Sequence, residues 1–356
     1  MCSKFLVLDV SQPSDYRTWL EIWKSWPHRD IFAHPDYVRQ FSQNDELAKC
    51  AYYQSAHGII LYPFIHRIIP SLLNVSGIWT DIVSPYGYGG CFAWKVSDPV
   101  KLGRDFYGEF DTWANRECVV SEFVRLSLFS QDRLEFPDRV RKRSLNVVRS
   151  LDIDEQEIWR DYEAKVRKNV MKAVRNNVHI TVDESGGTVE EFHRVYDETM
   201  LRRDAKSDYR FSLDFFVRFN QLLDGHFVYF NAVRDSQVIS TELVLVSSQS
   251  VYSFLGGTVS ASFDVRPNDL LKHEVILWAK SRGKRHFVLG GGYQSEDGIF
   301  RYKKAFAPNG LVPFETGERI INTKTYESLV SHHLHNAQAP EGASHSPADF
   351  FPKYRT

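Results

Sequence analysis

The sequence predicts a mixed α/β protein of two domains, and three observations carry that expectation. The chain has 356 residues, against a prior of roughly 150 per domain. Short β-rich segments alternate with stretches of helical periodicity along its length. Residues 251–306 then read as strand, helix and strand, with glycines where both strands end. A βαβ crossover leaves functional backbone at the carboxyl ends of its strands, so chemistry is sought there. The expected division is 1–150 and 151–330, followed by a flexible tail at 331–356. Arg139, Arg141, Lys142, Arg143 and Arg149 mark the break as a basic connector.

In chain order, residues 5–8 form a strand and Tyr16 to Trp26 has helical spacing. His34-Pro35 starts another helix that reaches Phe41. Residues 51–53 and 58–64 read as a hairpin turning near Ser55-Ala56-His57. A helix over 100–113 and a strand over 119–129 complete the first half. Between them lies 79–90, rich in glycine and aromatics and unlike an ordinary strand. It is either a tight surface turn with packing aromatics or a loop that lines a ligand.

The second half opens on a helix from Leu151, amphipathic over 158–178. Tyr162, Val166, Val170 and Ala173 share one face; Lys165, Lys168, Lys172 and Arg175 share another. Few acids compensate these cations, which leaves a solvated face or a contact for an anionic partner. A strand follows at 179–182, then a helix over 189–203 that delivers Arg202 and Arg203, with Lys206 and Tyr209 just beyond. Residues 227–233 and 238–246 form a hairpin. Glu242 lies among apolar residues there, so it is paired, as a hydrogen-bonded strand residue facing partial solvent, or it accepts a proton from an amine or binds one. Closing strands are expected at 311–314 and 319–321. His332, His333 and His335 of the tail have adventitious metal-binding capacity at most.

In the segment 251–306, Tyr252 precedes Leu255-Gly256-Gly257-Thr258. Arg266-Pro267-Asn268-Asp269 then leads into a helix with Leu270, Leu271, Val275, Ile276, Trp278 and Ala279 at helical spacing and Gly283 beyond its end. Leu289 runs into Gly290-Gly291-Gly292. Asp297-Gly298, Arg301-Tyr302-Lys303 and Phe306 close the stretch. These residues, in this order, resemble the second half of the FemABX-like (peptidoglycan bridge-forming aminoacyltransferase-like) family of GNAT-fold acyltransferases. The resemblance implies two tandem GNAT-like domains, each a mixed sheet flanked by helices. It implies an acceptor cleft lined by the loop of Tyr86, Tyr88 and Gly90, with Tyr209 and Tyr252. It implies an arginine for acceptor phosphates, Arg203 or in its place Arg202, whose planar fork suits oxyanions. Gly290, Gly291 and Tyr302 would border the donor end, and the catalytic set would be Lys303, Tyr252 and Glu242. Lys303 has a chemical reason to be there: a fixed ammonium stabilises the charge that develops on an attacked carbonyl oxygen. With an unperturbed pKa near ~10.4 it would be charged at neutral pH, which suits that role better than general base. Without the resemblance, Lys303 and Lys304 read as solvated helix cations.

The formal net charge of −1 gives no global basic field. DNA is therefore not an expected partner, and any tRNA contact must come from a local patch. Cys2, Cys50, Cys91 and Cys118 lie far apart with no CxxC, so no metal site is expected and a reducing cytoplasm is. No signal sequence and no membrane span are read. The sequence lacks GxGxxG and GxxxxGK[ST], which disfavours dinucleotide binding and phosphoryl transfer.

The function expected is transfer of an activated acyl group, from a donor of the aminoacyl-tRNA type, onto an amine of a cell-envelope precursor. No cofactor is expected beyond that co-substrate. The alternative is a CoA- or carrier-dependent N-acyltransferase, using an acyl thioester and acting on an amino sugar or other small amine. CoA-using GNAT domains carry a glycine-containing pyrophosphate loop, and residues 259–271 contain no glycine. A non-catalytic binding module with the same fold remains a third reading.

Overall fold

The computed structural model describes residues 3–43, 45–70, 77–205, 210–292, 297–336 and 350–355. The chain divides into two compact units. One takes Met1–Pro27, Phe32–Arg143 and Phe314–Thr356; the other takes His28–Ile31 and Ser144–Pro313.

The first unit contains β1 (Lys4–Asp9), α1 (Pro13–Ser25), α2 (Pro35–Gln40), β2 (Glu46–Ser55), β3 (Gly58–Ile68), β4 (Thr80–Val83), β5 (Phe92–Trp94), α3 (Pro99–Arg116) and β6 (Val119–Arg125). Its strands pair in the order β1-β2-β3-β4-β6. All are antiparallel except β4 and β6, which run parallel across the crossover helix α3. The start of α3 is set locally: Asp98 accepts from the Lys101 N–H, and Pro99 needs no partner at the first helical position. Phe106, Phe110 and Ala114 bury the opposite stripe against Tyr62 and Phe64.

The strand β7 (Arg139–Ser150) begins in the first unit and ends in the second. The second unit continues with α4 (Glu155–Asp161), α5 (Ala164–Arg175), β8 (His179–Asp183), α6 (Val189–Arg202), α7 (Leu213–Leu222), β9 (Phe227–Arg234), β10 (Gln237–Val246), β11 (Ser250–Thr258), α8 (Pro267–Ser281), β12 (His286–Gly290) and α9 (Gly298–Lys304). Its strand order is β7-β12-β11-β10-β9-β8, with a parallel β11–β12 pair joined by α8. Each unit is thus a mixed sheet with helices, built around one parallel pair and its crossover helix. Leu271, Val275, Ile276 and Ala279 of α8 are buried with Phe230, Val251 and Phe287. Truncating one such Leu or Ile to Ala costs roughly 2–5 kcal/mol. The chain returns to the first unit through β13 (Leu311–Ile320), which pairs with β6, and ends in α10 (Thr323–Asn336) and a short turn at Lys353–Arg355.

Several expectations need correction. The basic connector is the strand β7. Three of its cations are taken up by acids: Arg141 and Arg143 pair with Glu318, and the buried Arg149 pairs with Asp161. The compact units do not follow a cut at residue 150, because residues 314–336 and 350–355 pack in the first unit and 28–31 in the second. The loop expected at 79–90 begins with the strand β4. The helix expected over 158–178 is two, α4 and α5, because Tyr162 and Glu163 take extended ψ angles of 142° and 147°. The two closing strands are one, β13. The expected flexible tail contains the end of α10, and near the C-terminus Tyr354 is buried, with its hydroxyl on Ser121 and Asp81. Residues 337–349 lie outside the described residues.

Candidate active site

The parallel ladder between β11 and β12 is short. It covers Ser250, Val251 and Tyr252 against His286, Phe287 and Val288, although β11 continues to Thr258. Beyond the last pair, residues 253–257 and 290–292 are half-buried rather than buried. The strand ends therefore open a wedge in the sheet of the second unit, with β10 and β11 on one side and β12 on the other.

Gly290 and Gly291 shape the β12 side. Gly290 has φ +81°, a left-handed conformation that costs a side-chain-bearing residue about 1–2 kcal/mol. A Cβ on Gly291 would stand 2.6 Å from Oδ1 of Asn146, closer than packing allows. The glycines let the backbone turn so that the Gly291 carbonyl accepts the Lys303 ammonium at 2.7 Å. Lys303 is carried there by α9, a helix started by Asp297, whose carboxylate accepts from the Phe300 N–H at 2.7 Å. The ordinary pKa assumed for Lys303 from sequence does not hold. Burial of its ammonium, and next the positive charge of Lys272, lower it from 10.5 to about 8, opposed by Glu242 and Asp297. At pH 7 the group is still mainly an ammonium, able to face an oxyanion. Slightly above that it also has a neutral fraction that can take a proton.

Glu242 is buried on β10 and paired: Lys272 of α8, 8% exposed, donates to its carboxylate and to Ser253 Oγ at 2.7 Å. The Lys272 ammonium also lies 5.5 Å from the Phe287 ring centroid. Of the two roles left open for Glu242, the geometry shows the paired one. Lys272 is the group sequence reasoning missed. It sits on the same helix as Leu271 and Val275, and a cation next to a buried stripe reads as solvent-facing until its carboxylate partner is known.

Tyr302 lies in the same cluster. Its hydroxyl donates to the Asn268 carbonyl at 3.0 Å, and burial holds its pKa well above the usual tyrosine range. Oδ1 of Asn268 in turn accepts from the hydroxyls of Ser240, at 2.6 Å, and Thr258. The first turn of α8 is thus anchored through the acceptors of Asn268. Pro267 brings no N–H, and Asp269 places a buried carboxyl at the third position, raised to about 6 by desolvation. Tyr252 is buried on β11, and its hydroxyl donates to Asp30 Oδ2 at 2.5 Å. Asp30 also accepts from Ser247 Oγ at 3.1 Å and is a second residue that nothing in the sequence singles out.

Arg203 is exposed at the C-cap of α6. The neighbouring Arg202 reaches Thr199 Oγ1 at 3.3 Å and stands 5.0 Å over the Phe263 ring. Tyr209 and Lys206 lie outside the described residues. Tyr86 and Tyr88 belong to the first unit, where Tyr86 stacks on Phe41 at 5.6 Å and its carbonyl accepts from Tyr37, while Tyr88 meets Phe32 edge-on at 5.3 Å. The structure therefore brings together Lys303, Glu242, Tyr302, Gly290 and Gly291 within the second unit. Among the described residues, no group of three or more His, Cys, Asp or Glu is placed to hold a metal. No helix is long and apolar enough to cross a membrane.

Residues 160–304 match the family described as Acetyltransferase (GNAT) domain. That span includes β11, α8, β12, the buried Lys272 and the half-buried Lys303. No curated protein matches the sequence. Among solved structures, the chain is similar to FemX, with TM-score 0.66, 12% identity, and 88% of this chain and 98% of that one covered. It is also similar to the C-terminal domain of a putative lysylphosphatidylglycerol synthetase from Agrobacterium fabrum, with TM-score 0.54, 14% identity and 87% and 94% coverage. A conserved protein of unknown function from Bacteroides thetaiotaomicron gives TM-score 0.54 at 9% identity, covering 86% and 97%. Identities this low speak for the fold, and the family match speaks for the chemistry of the second unit. Together they make the chain a GNAT-fold acyltransferase that resembles the FemABX-like family.

Proposed function

We propose that this acyltransferase acylates an amine of a cell-envelope precursor in the cytoplasm, with an aminoacyl-tRNA as donor. The observation that carries this reading is the first turn of α8 beside the Lys303 wedge, which carries a proline and a buried carboxyl. A CoA pyrophosphate needs free backbone N–H groups and positive potential at a helix start. Here that turn offers Pro267, which has no N–H, and the buried carboxyl of Asp269, which opposes an anion. A donor held by its ester end alone, with its phosphates elsewhere, fits this geometry. The resemblance of 251–306 to the FemABX-like family supports the same choice of donor and acceptor.

In this reading the donor carbonyl enters the wedge between β11 and β12. The acceptor amine attacks, the carbonyl π pair moves onto oxygen, and the Lys303 ammonium faces the resulting oxyanion. Collapse of the intermediate forms the amide and releases the ribose hydroxyl, which takes up the proton lost by the amine. Glu242, through Lys272, fixes the electrostatics of the cavity rather than touching the reactants.

The second reading, acyl transfer from a CoA or carrier thioester to an amino sugar or other small amine, is favoured by the acetyltransferase family match. One experiment separates them. The purified chain is given radiolabelled aminoacyl-tRNA or acetyl-CoA, each with a nucleotide-linked peptidoglycan precursor and with glucosamine. Label moved from tRNA to the precursor supports the first reading. Label moved only from acetyl-CoA overturns it.

A further inference from the structure

We propose that the exposed face of α5 is the docking track for the RNA body of the donor. This rests on the aminoacyl-tRNA reading above and adds where the RNA lies.

The orientation of α5 is fixed by its buried side, Val166, Val170 and Ala173. That leaves Lys165, Lys168 and Arg175 exposed, with Lys172 half-buried. At spacings of three, four and three residues the four cations form one row. Ten residues at 1.5 Å rise make that row about 15 Å long. Lys165 has a nearby acid, Glu163 at 3.1 Å. Among the described residues no carboxylate pairs with Lys168, Lys172 or Arg175. Arg210, Arg282 and Arg285 of the second unit have acidic partners, whereas the cations of α5 stand together as a row. With a net charge of −1 on the whole chain, this row is a local feature, not part of a general field.

Its position matters more than its charge. Asn169, in the middle of the row, donates to Asp269 Oδ1 at 3.1 Å and so ties α5 to the first turn of α8. The carbonyl of Asn268 in that turn is held by Tyr302, the neighbour of Lys303. Lys165 and Arg266 are both near enough for their charges to act on Asp269. The cations therefore start beside the wedge and lead away from it along α5. A polyanion whose terminal ester sits in the wedge has its next phosphates on that path. The apolar side chains on the flank, Met171 and Val174, are only two, about half exposed. That falls short of the continuous apolar face by which a helix lies in a membrane surface.

The test uses the full-length chain and unfractionated, deacylated tRNA, with binding followed by anisotropy at several salt concentrations. The variant is Lys168→Glu, Lys172→Glu, Arg175→Glu. The control reverses three exposed cations of the first unit, Arg17, Lys24 and Arg116, and melting curves check that both variants fold. The expected result is at least a tenfold loss of tRNA affinity for the α5 variant and none for the control. The slope of log K against log salt should fall by about 2 to 3, the share of three phosphate contacts. If wild type and the α5 variant bind tRNA alike, the track is wrong while the donor reading stands. If the wild type does not bind tRNA, the donor reading falls with it. Binding to anionic phosphatidylglycerol vesicles that is lost in the α5 variant, without tRNA binding, would assign the face to a membrane and overturn the proposal.

Discussion

Replacing Lys303 by Met should uncouple stability from activity, and the structure sets the size of the effect. The folded protein lowers this ammonium from 10.5 to about 8, a difference of 2.5 units, or about 3 kcal/mol at 1.36 kcal/mol per unit. The sign follows from proton counting. Between pH 8 and pH 10.5 the unfolded chain keeps the proton that the folded chain has released. The unfolded state therefore binds more protons in that window, and stability rises with pH. Below pH 8 both states are protonated and the full desolvation cost remains. Lys303→Met removes that cost and also the bond to the Gly291 carbonyl, worth roughly 1.5–3 kcal/mol for a charged donor. At pH 7 the variant should then lie within about 2 kcal/mol of wild type. The difference between the two should nevertheless grow by about 2–3 kcal/mol, in favour of wild type, from pH 7 to pH 10. Urea unfolding of both proteins at these two pH values measures it, and subtracting the variant cancels the tyrosines that titrate in the same range. A constant difference would show that Lys303 is solvated and would remove the physical basis for its role.

Glu242→Gln leaves the Lys272 ammonium unpaired in the interior and should cost about 3–5 kcal/mol; adding Lys272→Met should restore much of it, as read by denaturant midpoints. Gly291→Ala pushes a methyl against Asn146 and should destabilise by about 1–3 kcal/mol, while Gly298→Ala, whose Cβ meets nothing within 4 Å, should not, by the same unfolding assay. Tyr252→Phe takes one donor from Asp30 and should lower stability by about 1–3 kcal/mol whatever its effect on acceptor affinity, which calorimetry separates from Tm. Stability should also fall as pH drops from 6.5 to about 4, because His273 is kept neutral by burial and the unfolded chain protonates first. His273→Gln should flatten that limb of the Tm profile.

The strand–helix–strand core of the second unit was legible because its periods are local. Val251 and Phe287 begin short β-rich runs, Leu271, Val275 and Ile276 recur at helical spacing, and Gly290 and Gly291 mark a strand end that must turn. What escaped depends on partners far away in sequence. Arg141 and Arg143 read as a solvated connector until Glu318, about 175 positions on, shows them to be strand residues with an acid opposite. Lys272 reads as a surface cation until Glu242 and Ser253 enclose it. The break between α4 and α5 has neither proline nor glycine to announce it; the apolar stripe runs straight through Tyr162. The 79–90 stretch reads as loop throughout, but Thr80–Val83 is a strand held by its ladder to β3 and β6, which the sequence does not display.

The central claim is that the Lys303 wedge is where acyl transfer occurs. The most direct measurement compares kcat for wild type, Lys303→Met and Lys304→Met with the donor and acceptor that turn over. An oxyanion partner is worth roughly 10²–10³ in kcat, so Lys303→Met should lose that much, while Lys304→Met, one position on in the same short helix, should change little. Small and equal effects from the two substitutions would contradict the account.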